Sequence, residues 1–76
     1  MRNVTRWEIY IQFSSGVVYK RYYDNEETAT NQYNLMHKSM REKSVLRSSD
    51  VIIDFSKVEL IEMNEMEEMI VWFVYH

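Results

Sequence analysis

Two alternating runs meet at the only glycine in the chain, Gly16, and no proline interrupts either run. Before it, Trp7, Ile9, Ile11 and Phe13 fall on one side of an extended chain, with Arg6, Glu8, Tyr10 and Gln12 on the other. After it, Val17–Tyr23 is rich in β-branched and aromatic residues. A period of two on both sides of Ser14-Ser15-Gly16 specifies an antiparallel hairpin whose glycine takes the left-handed loop position. The implied register pairs Phe13 with Val17, Ile11 with Tyr19 and Trp7 with Tyr23. A slip of one residue would set Lys20 opposite Ile11, so this register is favoured.

Asp24-Asn25-Glu26-Glu27 follows and reads as a helix start. Asp24 with Glu27 three residues on resembles a capping box, and early acids complement the helix dipole. Ala29, Tyr33, Met36 and Met40 then recur at helical spacing as one apolar stripe. Lys38, Arg41 and Lys43 gather toward the far end. Leu35 lies off the stripe and is expected at the surface, and His37 flanks it.

Residues 44–50 read as a linker. Beyond them, Val51–Phe55 suits a short strand, or an irregular apolar approach that tucks Phe55 under the helix. Lys57–Met63 and Met69–Tyr75 suggest a second hairpin around an Asn64–Glu67 loop. Leu60 would then pair Val71 and Val58 pair Phe73 on one face, with Ile61 opposite Ile70 and Glu59 opposite Trp72 on the other. A helix over 57–68 competes, since Glu and Met favour helices. However, Val58, Leu60, Ile61, Met63, Met66 and Met69 scatter around a helical projection instead of forming a stripe. The expected fold class is α+β with order ββαββ: a four-stranded, mostly antiparallel sheet with one helix on one face. The terminal apolar strand is expected near its middle. One core would gather Ile9, Ile11, Phe13, Tyr33, Met36, Met40, Val58, Leu60, Val71 and Phe73.

The chain has 76 residues, 46% of them hydrophobic and 28% charged, and reads as a single domain over 1–76. That is too apolar for intrinsic disorder and, at a net charge of −3, too mixed for a dedicated nucleic-acid binder. No apolar run reaches the ~18 residues of a membrane span. The charged start (Met1, Arg2, Asn3) has no apolar stretch behind it, so no signal peptide and a cytoplasmic location are expected. With no cysteine, disulfides and thiolate chemistry are excluded. A domain this small buries only about 60% of its unfolded surface, which makes help from a partner or a second copy plausible.

Charge divides unevenly. Residues 1–49 carry eight basic and five acidic side chains, a balance of +3, whereas residues 50–76 carry one and seven, a balance of −6. The glutamates at 59, 62, 65, 67 and 68 lack the spacing and glycine of a calcium loop. They read as a solvated surface that discourages edge pairing, or as an acidic handle for a basic partner. His37 and His76 form no metal-binding pair, and no nucleophile elbow or Gly-rich phosphate loop is present. No catalytic residue, cofactor or metal site is therefore nominated, and the chain is not expected to be an enzyme. Tyr19-Lys20-Arg21-Tyr22-Tyr23 mixes aromatics with positive charge, as single-strand binders do. Alternation, however, leaves only Lys20 and Tyr22, with Tyr10, on the outer face.

The order of features resembles small accessory proteins of bacteriophages and mobile elements in Gram-positive bacteria. Those features are the Trp7–Phe13 strand, Ser14-Ser15-Gly16, the Val18–Tyr23 strand, Asp24–Ala29 opening a helix, and the aromatic Met69–Tyr75. Such proteins often block a host enzyme or a defence complex, for example as anti-CRISPR inhibitors. The resemblance implies a protein-binding module, favours an inhibitor over an enzyme, and names no target.

The expected working surface is the sheet face opposite the helix. Trp72, Ile70 and Val74 would join Ile61, Tyr10 and Tyr22 there, with Glu59, Glu62 and Lys20 as a charged rim. The partner is a target protein or a second copy packing by its sheet face.

Overall fold

The computed structural model describes the backbone of residues 2–70 and the side chains of residues 5–67. The protein is a small α+β fold. Its elements are β1 (Arg2–Phe13), β2 (Val18–Tyr23), α1 (Glu26–Glu42), β3 (Val45–Arg47), β4 (Ile52–Asp54), a 3-10 turn (Phe55–Lys57) and β5 (Val58–Ile70). Strands β2, β1 and β5 form an antiparallel sheet with β1 in the centre, and β3 and β4 form a separate two-stranded sheet.

The first hairpin has the register its alternation dictates: Trp7 opposite Tyr23 and Ile11 opposite Tyr19. Phe13 N donates to Val17 O at 2.9 Å and Gly16 N to Phe13 O at 2.9 Å, which closes the loop. Gly16 sits at φ 91°, in the left-handed region where a Cβ brings strain.

The helix start differs by one residue from the capping-box reading. Asn25, not Asp24, is the N-cap, its side chain accepting from Thr28 N at 3.0 Å. The short amide side chain reaches the third helical N–H just as a carboxylate would. At the other end Lys43 takes a left-handed φ of 55°. Its N–H donates to Met40 O, and Ser44 N–H donates to Ser39 O, which satisfies two terminal carbonyls.

The core forms between α1 and one face of the sheet. Ile9, Ile11, Ala29, Met36, Ile53, Phe55, Val58 and Ile61 are buried in it. Phe13, Tyr19, Tyr23, Tyr33 and Met40 pack around them. The whole helix stripe thus reaches the core, Leu35 stays exposed, and Phe55 lies beneath α1 at the head of the 3-10 turn.

Three expectations need correcting. Among the described residues the main sheet has three strands rather than four, and Lys57–Met63 and Met69–Ile70 do not fold back on each other. Asn64–Glu67 is not a loop: it lies inside the continuous strand β5, which pairs with β1 from Phe13↔Val58 to Arg2↔Ile70. A full-length partner strand overrides the weak strand propensity of Glu and Asn. Secondly, residues 44–50 are not a plain linker, since Val45–Arg47 pairs with Ile52–Asp54 and brings Leu46 to the core. Thirdly, Leu60 is exposed and Ile61 is buried, the reverse of the expected faces. The cause is a β-bulge: Gln12 opposes Leu60 but Phe13 opposes Val58, so Glu59 is an extra residue. One inserted residue reverses the face parity of the strand beyond it. Val58 and Ile61, three apart, therefore both face the helix. The expected core positions Val71 and Phe73 lie outside the described residues.

Candidate functional site

Beyond the bulge, β1 and β5 alternate regularly, so the face away from α1 can be laid out row by row. Tyr10 occupies the central strand, opposite Lys20 on β2 and Glu62 on β5. In the next row Glu8 lies opposite Tyr22 and Asn64. In the row on the other side Gln12 lies opposite Val18 and Leu60. Tyr22, Val18 and Leu60 are 49%, 41% and 37% exposed, a large apolar or aromatic group in two of the three rows.

The charges on this face are mixed. Lys20 Nζ lies 5.9 Å from the centroid of the Tyr10 ring, at the outer limit of a cation–π contact. Arg6 Nε approaches Asp24 Oδ1 at 3.6 Å, an exposed pair of small energetic weight. Tyr19 and Tyr23 pack on the opposite, core side.

Of the residues nominated from sequence, Tyr10, Tyr22, Lys20 and Glu62 come together on this face, and Glu59 marks its rim as the bulge residue. Ile61 does not join them, because it is buried against the core opposite Ile11. Ile70 ends β5 opposite Arg2, and its side chain lies outside the described set. Trp72 and Val74 lie outside the described residues altogether.

Sequence reasoning missed Glu8 as anything but an outward polar residue. It is 7% exposed, and its Oε1 accepts from Asn64 Nδ2 at 3.4 Å. Its place in the central strand, with a strand on either side, was the available signal. The adjacent Leu60 and Val18 were missed for a different reason: the bulge hid Leu60, and a lone valine in a strand carries no functional signature.

Elsewhere the shifted acids are structural. Asp54 caps the 3-10 turn, accepting from Ser56 Oγ at 2.6 Å and Ser56 N at 3.0 Å, and these bonds hold its carboxyl below the usual range. Asp50 is lowered by the Ser48 hydroxyl and then by Arg21, 3.6 Å away. Burial raises the Tyr23 phenol, with Arg21 opposing. Among the described residues there is no pocket, no group of His, Asp or Glu placed to hold a metal, and no helix long and apolar enough to cross a membrane.

No family model, curated protein or solved structure matches the chain.

Proposed function

We propose that this chain is a protein-binding module that engages its partner through the sheet face opposite α1. The observation that carries the reading is the exposure of Tyr22, Val18 and Leu60 around Tyr10, on a face that no described element covers. Exposed apolar groups gathered on one surface mark interaction sites, and tyrosine is a frequent anchor there. Lys20, Glu62 and Glu59 supply charges around them that orient a partner more than they tighten it. Blocking a host enzyme or defence complex in the cytoplasm is the role that the phage-protein resemblance adds. No catalytic residue and no cofactor enters the proposal.

The test is the double variant Tyr10→Ala/Tyr22→Ala, with melting temperature and binding followed together. Proteins captured from a bacterial lysate by the parent should be lost by the variant while its melting stays within a few degrees. A folded variant that captures the same proteins overturns the reading. If light scattering shows instead that the parent dimerises and the variant does not, the partner is a second copy.

A further inference from the structure

The three-stranded sheet ends in β2, six residues long, on one side and in the much longer β5 on the other. β5 runs for 13 residues and, among the described residues, pairs on one side only, with β1. The direction of its free backbone groups follows from the hairpin. Phe13 N bonds Val17 O, so by alternation Ile11 and Ile9 also turn their backbone toward β2, and Gln12, Tyr10, Glu8 and Arg6 turn theirs toward β5. Their partners Leu60, Glu62, Asn64 and Met66 face back to β1. The N–H and C=O groups of Ile61, Met63, Glu65 and Glu67 consequently point outward from the edge. Such a row is a template for another extended chain.

The side chains along the same edge restrict what that chain can be. Glu59, Glu62, Glu65 and Glu67 are all exposed, and none forms an ion pair among the described residues. Alternation puts Glu62 on one face of the strand and Glu65 and Glu67 on the other, so the edge is negative from both sides. Antiparallel pairing of β5 with its own copy would set glutamates against glutamates, which is unfavourable. An acidic segment is rejected for the same reason, and a cationic one is selected.

We infer that the β5 edge binds an extended, Lys- or Arg-rich peptide segment of a partner by strand addition. The edge adjoins the face around Tyr10 and shares Glu59 and Glu62 with it. Its outward backbone row and Glu65 and Glu67 lie outside that face, so the inference does not rest on the proposed function.

The probe is a fluorescein-labelled peptide of about nine residues alternating Lys and Val, titrated with the full chain and read by anisotropy. Binding is expected, and it should weaken several-fold as salt rises from about 50 to about 200 mM. The same peptide methylated on alternate backbone nitrogens keeps its charge but cannot extend the ladder, and should bind at least about tenfold more weakly. Glu65→Pro removes an outward donor at a position where an edge strand tolerates proline, and should melt like the parent while losing at least about tenfold in affinity. The Tyr10→Ala/Tyr22→Ala variant should bind the peptide as the parent does. Failure of the cationic peptide to bind overturns the inference, as does equal binding of the methylated peptide or of a Glu-Val analogue. Should Glu65→Pro not fold, the methylated peptide decides alone. A concentration-dependent dimer that Glu65→Pro abolishes would give the edge to a second copy and also overturn the inference.

Discussion

Within the single β1–β5 ladder, two stretches of equal chemistry at the backbone have unequal surroundings. From Trp7 to Gln12, β1 is flanked by β2 and β5 and covered on one face by α1, and Ile9 and Ile11 are completely buried. From Arg2 to Arg6, β1 pairs among the described residues with β5 alone, and Thr5 and Glu67 opposite each other are both exposed. Strand pairing by itself does not stabilise a ribbon in water, whereas a third strand and an apolar face do. The lesson is that the ladder is held from the core end, and the two-stranded end contributes surface and edge rather than stability.

The largest effect that would break this contrast lies in the core. Phe55→Ala should cost about 3–5 kcal/mol and Ile11→Ala about 2–5, enough to unfold a domain of this size at room temperature. Chemical denaturation checks both, and a parent-like midpoint for Ile11→Ala would dissolve the distinction between the two stretches. Next comes the hairpin that supplies the third strand. Gly16→Ala forces a Cβ into φ 91° and should cost about 1–3 kcal/mol, measured in the same way. Asn25→Ala, which removes the helix cap above the packed end, should cost about 1 kcal/mol. At the ribbon end Thr5→Ala should stay within about 0.5 kcal/mol of the parent. Hydrogen exchange sharpens the contrast directly: the amides of Ile9 and Ile11 should be far better protected than that of Thr5.

The smallest effects are electrostatic. Asp50 and Asp54 have lowered folded-state values, so their contribution is complete above the ordinary carboxylate value of about 4 and is lost as pH falls through the folded values. Tyr23 is raised, so its contribution is present below about pH 10 and fades as pH climbs toward the folded value. A melting series across pH should show the acid-side loss diminished in Asp54→Asn, whose caps to Ser56 carry no charge.

The two stretches also differ in how legible they were. The hairpin and the helix stripe could be read because each obeys one period throughout: two across Trp7–Tyr23, and four, three, four from Ala29 to Met40. β5 could not, because Val58, Ile61 and Met63 reach the helix side at spacings of three and two, a pattern that only the Glu59 bulge explains. Its Asn64–Glu67 segment resembled a turn because polar residues dominate it, yet a strand with one open edge and little cover needs few apolar groups. β3 was hidden for a related reason: three residues carry too little pattern to show a period. The face around Tyr10 was found because it sits on the well-read hairpin, while Ile61 was misplaced because it sits beyond the bulge.

The central position of β1 has a consequence for how the fold is reached. Its neighbour β2 follows after a four-residue connection, Ser14–Val17, but its other neighbour begins only at Val58, past the helix and the β3–β4 pair. Half of the sheet can therefore assemble early from local contacts, and the other half waits for the most distant segment. Such long-range closure is the slow part of folding, because the loop must be ordered before the contacts that compensate for it exist. Until then the inner edge of β1 and the side chains of Ile9 and Ile11 stand without their last partners, and the strand made first is the one finished last.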